Sequence, residues 1–398
     1  MKISSKMYSS RPLIYMASLL MSCVGFNAVC SGEIDDSQAA GDGASSKTVI
    51  KSIYIPLADH YAGIVAYEKY RDQMVHAQYE IEQMKSWPLL RSYFMSGEVD
   101  MAYIISPQAM DMFTEKQDFR WVSLMHRDGN AMAINELLNK QVQVELSRLD
   151  RHPDGSLIDA LKDWYDRTGK PIECAVPSLH ATHTVVLYKY LKDHGLTLDL
   201  DTGKDAHVRA IAVAPPKSPA FIKKKSAQST PATFEQSLPW ADVVETHGYG
   251  HVAWYSKDVM PWPNGHVECI AIATDDAIAQ KNEALKEVIF FIHKAGVDIE
   301  QARVEGGDAM AEITAMIRKH IPGHNEEAIV QSLRADLNVI NYKNLNLDIA
   351  GLEMIMEYAV EGGILDTPID IQAFADDQFS TQITVSKELA EVETELEE

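Results

Sequence analysis

The sequence is poor in basic residues. Its 398 residues include 36 lysines and arginines against 58 aspartates and glutamates, which gives a formal net charge of -22. Proteins that bind nucleic acid concentrate lysine and arginine against the phosphate backbone, so this composition excludes nucleic acid as a partner. The net charge does not determine the electrostatic field in a pocket, because a few nearby charged groups set that field.

Cysteine and the common catalytic motifs are also scarce. There are 4 cysteines, and the chain has no Gly-x-Ser-x-Gly elbow, no Walker loop and no Gly-x-Gly-x-x-Gly after a strand. Cys174 and Cys269 each lie in an apolar, strand-like run, which favours a buried small side chain, although a disulfide between them stays open. We therefore expect a protein that is not an enzyme and that carries no cofactor.

The one apolar run near the start of the chain is too short to span a membrane comfortably. Lys2, Lys6 and Arg11 precede "PLIYMASLLMSCVG", an arrangement typical of an export signal. The residues "LMSC" resemble a bacterial lipobox, which predicts a lipid anchor on Cys23; the alternative is ordinary cleavage nearby with loss of Cys23. We therefore expect an extracytoplasmic, periplasmic protein, lipid-anchored to a membrane.

From residue 47 onwards, short apolar runs alternate with segments of helical periodicity. One predicted strand ends at Pro56, and a continuous apolar run over 99–105 is typical of a strand buried on both faces. Between them Ser86 precedes a helical segment with Pro88 in its first turn and Gly97 after its end. Strand-helix-strand order predicts an α/β fold with parallel-rich sheets, and the length indicates two lobes.

Polar residues follow four of the predicted strands. Ligands of open parallel sheets bind beyond the carboxyl ends of the strands, and helix N-termini there offer unpaired N–H groups to an anion. If the four junctions converge, a strongly acidic protein could still bind a small anion. The junction residues are Asp59, His60 and Tyr61; Ser86 and Trp87; Ser106 and Gln108; and the run from Ser178 to His183.

Pairs of histidines that are close in sequence indicate a metal site as the alternative to an anion site. The candidates are His180 with His183, His247 with His251, and His266 near Glu268. Yet 14 histidines make such spacings common by coincidence, and the glycines in "HGYGH" weaken a helix there. We therefore count no metal ligand among the predicted site residues, and we expect Trp240 and Trp254 to pack in the interior.

Several segments together resemble one family. "SWPLLRSYFMSGEVDMAYI", "PSLHATHTVVLYKYLKDHGL", "VAPPKSPAFI" and two later segments, 238–272 and 354–379, are similar to the solute-binding proteins of ABC importers for nitrate, sulfonates, taurine and bicarbonate. That group also includes proteins that bind thiamine precursors. The resemblance covers nearly all of residues 50–380. The chain departs from the pattern at Leu238, where the family usually has glutamate before Pro-Trp.

The resemblance implies a two-lobed, type II periplasmic-binding-protein clamshell whose hinge the chain crosses twice. It places Trp87, Gln108 and His183 against the ligand, and Ser86, Ser178 and Thr182 are plausible additions. With Asp59 and His60 from the first junction, these eight residues form the predicted ligand site.

The function implied is capture of a small oxyanion, of the nitrate, sulfonate or bicarbonate class, and its delivery by a monomer to an ABC permease and ATPase. The alternatives are a thiamine-precursor-like heterocycle as the ligand, or a metal-binding or sensory clamshell. The predicted division of the chain is a signal peptide (1–22), a linker (23–47), lobe 1 (48–145), lobe 2 (146–262), a return to lobe 1 (263–385) and an acidic tail (386–398).

Overall fold

The structure is a computed structural model that describes residues 47–381. The predicted signal peptide, the lipidation site Cys23, the linker up to residue 46 and the acidic tail lie outside the described residues. Among the described residues, no helix combines the length and the apolar composition that a membrane span requires.

The strands form two main sheets and one short pair. They are β1 (Thr48–Tyr54), β2 (Ala77–Gln83), β3 (Met101–Ile105), β4 (Phe119–Leu124), β5 (Arg127–Asp128), β6 (Asn130–Asn135), β7 (Ile172–Val176), β8 (Leu198–Asp199), β9 (Val208–Ala212), β10 (Ala232–Ser237), β11 (Gly250–Tyr255), β12 (Cys269–Thr274) and β13 (Ile340–Asn341).

Helices follow most of these strands. They are α1 (Tyr61–Tyr70), α2 (Trp87–Met95), α3 (Ser106–Glu115), α4 (Glu136–Val142), α5 (Gly155–Thr168), α6 (Thr182–Asp193), α7 (Ser218–Ala227), α8 (Trp240–Thr246), α9 (Ser256–Val259), α10 (Asp275–Gln280), α11 (Asn282–Glu305), α12 (Gly307–His320), α13 (Glu326–Ser332), α14 (Ile349–Glu361) and α15 (Ile371–Phe374). Short 3-10 turns lie at Ala58–His60, Arg148–Asp150, Pro215–Lys217 and Asp377–Phe379.

The first sheet has the strand order β2-β1-β3-β12-β4. β1 pairs in parallel with β2 and β3, whereas β12 runs antiparallel to β3 and β4. Every residue of β3 is buried, as expected for a central strand covered on both faces. The carboxyl ends of β1, β2 and β3 therefore meet at one edge of this sheet, where the turn Ala58–His60 and helices α2 and α3 begin.

The second sheet has the order β11-β6-β10-β7-β9-β8. β7 pairs in parallel with β9 and β10, while β6 runs antiparallel to β10 and β11. Each residue of β10 is buried, including its polar residues. Helix α6 follows β7, so its first turn lies at the carboxyl edge of this sheet.

The chain passes between the two sheets twice, through residues 125–129 and 256–268, which we call the passages. Within the passages, Arg127 pairs with Val267, and the Asp128 N–H donates to the His266 carbonyl at 3.0 Å. The His266 N–H in turn donates to Asp128 Oδ1 at 2.9 Å. The two passages are thus bonded side by side, and the expected double crossing is present.

Strand β6 belongs to the second sheet, although the predicted division placed residues 48–145 in lobe 1. The segment after β12 forms two helices, α10 and α11. Lys281 lies at the break between them, and its Nζ atom contacts both carboxylate oxygens of Asp100, at 2.8 and 2.9 Å.

Gly63 in α1 allows this helix to lie close to β3. A Cβ atom at residue 63 would lie 2.5 Å from Cε2 of Tyr103, whose ring contacts His60 at a centroid distance of 5.7 Å. Tyr103 and Gly63 together therefore support the turn that carries Asp59 and His60.

We predict that Gly63→Ala destabilises the protein by about 1–3 kcal/mol, because the added methyl group overpacks the contact with Tyr103. Gly155→Ala in α5 is the matched control, since nothing lies within 4 Å of its Cβ position, and it should be neutral or slightly stabilising. Urea unfolding measures both variants. Equal unfolding midpoints for the two would contradict the packing argument.

Candidate functional site

Six polar side chains meet where the two sheets face each other, and all six have a relative exposure of 0%. Contributions come from the turn after β1, from both passages, from the start of β12, from the first turn of α6 and from the end of β10. We call this group the interlobe cluster: Asp59, His126, His183, Ser237, Glu268 and Cys269.

A chain of hydrogen bonds joins the two lobes through the cluster. Ser237 Oγ donates to Asp59 Oδ2 at 2.8 Å, and His183 Nε2 lies 2.7 Å from Ser237 Oγ. Because the serine hydroxyl proton points to Asp59, His183 donates from Nε2, and its Nδ1 atom is then an acceptor. The Nδ1 atom lies 3.2 Å from Glu268 Oε1 but lacks the alignment of a hydrogen bond.

The remaining members surround Asp59. His126 Nε2 lies 3.2 Å from Glu268 Oε2 and 3.7 Å from Asp59 Oδ2. Cys269 donates its thiol proton to Asp59 Oδ2 at 3.4 Å. The Cys269 N–H donates to His126 Nε2 at 3.3 Å, which identifies that nitrogen as an acceptor. Two carboxyl groups, one imidazole and one thiol thus face one another.

Burial dominates the electrostatics of the cluster. Loss of water raises the pKa of Asp59 to about 7, with His126 opposing the rise and Glu268 adding to it. Loss of water likewise raises the pKa of Glu268 to about 7. The pKa of His126 is lowered, and that of His183 falls well below its usual value, again mainly through burial. Both imidazoles are therefore neutral near pH 7.

A third carboxyl group lies beside the cluster. Glu235 precedes Ser237 by two residues in β10, so the two side chains share a face of the strand. Both Glu235 carboxyl oxygens are buried without a hydrogen-bond partner, and so is Asp59 Oδ1. Burial, with a smaller contribution from Glu268, raises the pKa of Glu235 well above its usual value. Unpaired buried polar atoms of this kind indicate a missing ligand or water.

The junctions predicted to converge lie close together. The rings of His60 and Trp87 are 6.1 Å apart, edge to face, and Gln108 Nε2 donates to the Trp87 carbonyl at 3.3 Å. Ser106 Oγ lies 3.4 Å from Thr182 Oγ1, which joins α3 of the first lobe to α6 of the second. The Trp87 indole N–H and His60 Nε2 are buried without a partner.

The other predicted residues lie further from the cluster. Ser86 is half-buried at the start of α2 and does not cap it with its side chain. Ser178 is half-buried, and its hydroxyl accepts from the His180 N–H at 3.3 Å. His180 itself is exposed, with Nδ1 3.5 Å from Asp111. His183 thus lies in the cluster and His180 does not, and the ligand contact of His183 stays a prediction.

Two of the histidine pairs raised from spacing, His180 with His183 and His247 with His251, contact different partners. His247 Nδ1 contacts the Val243 carbonyl, while His251 Nε2 contacts Glu136. His266 contacts Ser256 through Nε2 at 3.0 Å. Cys174 and Cys269 are both free and buried.

Sequence reasoning missed His126, Ser237 and Cys269 as site residues and treated Glu268 only as a neighbour of His266. His126 and Glu268 lie in the passages, which have no periodic pattern, and they meet across 142 residues of sequence. One signal was available: "VECIAIA" places a charged residue and a cysteine at the start of an otherwise apolar strand. A carboxylate at that position needs a partner or a ligand.

Four members of the cluster carry side chains that could hold a metal ion. Among residues 47–381, one group of histidine, cysteine and carboxylate side chains has its ligand atoms within 4.8 Å of one another: Asp59, His126, Glu268 and Cys269. The same atoms can also exchange protons or hydrogen-bond a small polar solute.

Comparisons with known proteins agree on one family and one fold. A family model described as the NMT1-like family matches residues 43–315. No curated protein sequence matches the chain. Among solved structures, the ligand-binding component of an ABC-type import system from Staphylococcus aureus, with zinc bound, has a TM-score of 0.65 at 17% identity and covers 85% of this chain and 100% of its own.

Two further structures have similar scores. The periplasmic nitrate-binding protein NrtA from Synechocystis PCC 6803 has a TM-score of 0.64 at 17% identity, covering 88% of this chain and 89% of its own. The alkanesulfonate-binding protein SsuA from Xanthomonas axonopodis pv. citri, bound to MOPS, has a TM-score of 0.60 at 10% identity, covering 83% and 99%. At these identities the likeness shows the fold, and it confirms the two-lobed periplasmic-binding-protein architecture.

Glu235 provides a pH test of the site. Its pKa is raised in the folded protein, so its contribution to stability is fully present below the unfolded pKa, about 4.3, and is lost as pH rises towards the folded pKa. We predict that Glu235→Gln gains stability relative to the wild type between pH 5 and pH 8, by about 1.4 kcal/mol per pH unit until the folded pKa is reached.

Urea unfolding of the two proteins at pH 5, 6.5 and 8 measures this difference. Glu173→Gln is the control, because Glu173 lies on β7 of the same sheet but pairs with Lys225 at the surface. If the free energies of unfolding of the wild type and Glu235→Gln change in parallel with pH, Glu235 has the same pKa in the folded and unfolded states, and the prediction is wrong.

Proposed function

This chain belongs to the NMT1-like family, and on that premise we propose that it is the solute-binding component of an ABC import system, which encloses one small solute between its lobes. The interlobe cluster is the observation that carries the proposal. Its members come from both lobes and are fully buried, yet several of their polar atoms lack partners. A solute bound there would supply the missing contacts and would favour the closed form over an open one.

The contacts across the lobes suit reversible closure. They include the Ser106–Thr182 hydroxyl pair, the Ala58 N–H donating to the Leu238 carbonyl at 2.8 Å, and the Trp240 indole N–H donating to the Pro56 carbonyl at 2.9 Å. Each is a single polar contact that water can replace when the lobes separate. Hinge closure of this type converts binding into a shape that a permease can recognise.

The side-chain chemistry of the site favours a cationic solute over an oxyanion. Asp59, Glu235 and Glu268 line it, and the main basic neighbours that shift their pKa values are histidines rather than lysine or arginine. Among the ligands named for the neighbours, zinc, nitrate and an alkanesulfonate, the cation matches these side chains best. The oxyanion and the thiamine-precursor-like heterocycle implied by the resemblance remain predictions, and an oxyanion would need the carboxyl groups to stay protonated.

We also propose a location and partners for this carrier. We place the protein outside the cytoplasm, as a monomer that delivers its solute to an ABC permease and ATPase and that has no enzymatic activity. The lipid anchor on Cys23 remains a prediction from the sequence.

We predict that one class of solute raises the melting temperature of the purified protein. The panel contains Zn²⁺, nitrate, bicarbonate, ethanesulfonate and a thiamine-precursor pyrimidine. A solute present at a hundredfold excess over its Kd stabilises the folded state by about 2.7 kcal/mol through linkage, a shift that thermal unfolding detects easily. We expect Zn²⁺ to be the stabilising member. A rise with nitrate or ethanesulfonate, and none with Zn²⁺, would restore the oxyanion interpretation.

We also predict that a disulfide across the lobes traps the solute. Ser106→Cys with Thr182→Cys places two sulfur atoms where the hydroxyl oxygens lie 3.4 Å apart, within the reach of a disulfide after small adjustments. The oxidised double variant, loaded with the stabilising solute, should retain it through dialysis and release it on reduction. Each single variant is the control and should release the solute under both conditions. Equal release from the oxidised and reduced double variant would contradict closure around the solute.

A further inference from the structure

We propose that Asp59, His126, Glu268 and Cys269 bind one divalent transition-metal ion of the Zn²⁺ type in tetrahedral coordination. This inference rests on the proposed carrier function and names the solute that the cluster holds. It also departs from the sequence analysis, which counted no metal ligand. Three features of the cluster support it: the positions of the donor atoms, their chemical identities, and the polar groups around them.

Three of the six distances between donor atoms are close to the edges of a tetrahedral site. Ligand distances of about 2.0–2.3 Å around Zn²⁺ give tetrahedral edges of about 3.3–3.8 Å. The three distances are 3.2 Å for His126 Nε2 to Glu268 Oε2, 3.7 Å for His126 Nε2 to Asp59 Oδ2, and 3.4 Å for Cys269 Sγ to Asp59 Oδ2. All four residues have ligand atoms within 4.8 Å of one another, so an ion would draw in the wider pairs and would replace the Cys269 N–H as the partner of His126 Nε2.

The chemical identities of the four donor atoms favour some metal ions over others. One sulfur, one imidazole nitrogen and two carboxylate oxygens suit Zn²⁺ and Co²⁺, which accept soft and borderline ligands. Ca²⁺ and Mg²⁺ require oxygen ligands in larger number, so a site with a thiol at this position disfavours them. On binding, the Cys269 thiol loses its proton to solvent, and the sulfur lone pair forms the bond to the metal.

Polar groups around the donor atoms complete the site. Asp59 Oδ1 is fully buried and has no hydrogen-bond partner, so it is an available acceptor inside the cluster. Asp59 Oδ2 accepts from Ser237, which in turn contacts His183. Outer hydrogen bonds of this kind orient metal ligands and commonly contribute 10–100-fold to affinity, about the effect we expect for Ser237.

The position of the ligands suggests an order of events. Asp59 and Cys269 belong to the first lobe, and His126 and Glu268 lie in the passages, so the four can assemble before the lobes close. Ser237 and His183 come from the second lobe and reach the site only on closure. The metal would thus bind first to one lobe and then hold the second lobe through Asp59.

Cobalt spectroscopy on the full-length protein tests the proposal. After treatment with a chelator, the protein is titrated with Co²⁺, and we expect one equivalent to bind with the visible bands of tetrahedral cobalt and a near-ultraviolet thiolate-to-cobalt charge-transfer band. Zn²⁺ should abolish both bands by displacement. Cys269→Ser should lose the charge-transfer band and bind Co²⁺ more than about 100-fold more weakly, because it removes a direct ligand.

Cys174→Ser is the matched control, since Cys174 is also a free, buried cysteine but lies in β7 outside the cluster, and it should keep the wild-type spectrum. Ser237→Ala should keep the tetrahedral spectrum while losing about 10–100-fold in affinity. Thermal unfolding of each variant in chelator shows whether it is folded. X-ray absorption of the zinc-loaded wild type, which needs no variant, should show one sulfur ligand.

The proposal is overturned if the wild type binds no Co²⁺ at one equivalent, if the spectrum is octahedral, or if zinc has no sulfur ligand. Identical spectra for Cys269→Ser and the wild type would also overturn it. These failures differ from failure of the carrier function. A disulfide-locked protein that traps another solute would leave the carrier intact without the metal, whereas bound metal that exchanges freely from the locked protein would leave a metal site without the carrier.

Discussion

Three carboxyl groups, those of Asp59, Glu235 and Glu268, are buried together where the two lobes meet, with histidines as their main basic neighbours. Removing such groups from water is costly, and neutral histidines return only part of the cost. The protein buries these carboxyl groups at one place, next to tightly packed apolar strands such as β3 and β12. Buried groups of this kind, which lower stability at one place, are common at functional sites.

The passages connect this site to the relative position of the lobes. Their mutual hydrogen bonds, between Asp128 and His266, hold them as a pair, and Arg127 donates to the carbonyl of Gly265 at 3.1 Å. His126 and Glu268 lie together at the end of this pairing next to the first sheet, where the Met125 N–H donates to the Cys269 carbonyl at 3.0 Å. Ligand contacts and hinge motion thus involve neighbouring residues of the same segments.

Much of the fold could be predicted from the sequence because it follows from local patterns. The buried run over 99–105 contains β3, Ser86 precedes α2, and Pro88 lies in the first turn of that helix, as expected. Asp59 and His183, which lie in the interlobe cluster, were among the predicted site residues because strand ends meet at a sheet edge. His126 and Glu268 were not, because their proximity depends on how two passages with no periodicity pair across 142 residues. Ser237 was also missed, since it is one of four polar residues in the buried strand β10.

The complete burial of the cluster has a kinetic consequence. A solute held by six side chains at 0% exposure is shielded from solvent while the lobes are together, so its residence time is at least the lifetime of the closed form. Competing solutes can then act only during openings, and an excess of a weaker competitor cannot speed the departure of a bound one. Exchange, rather than affinity alone, would limit how quickly such a carrier responds when the supply outside the cell changes.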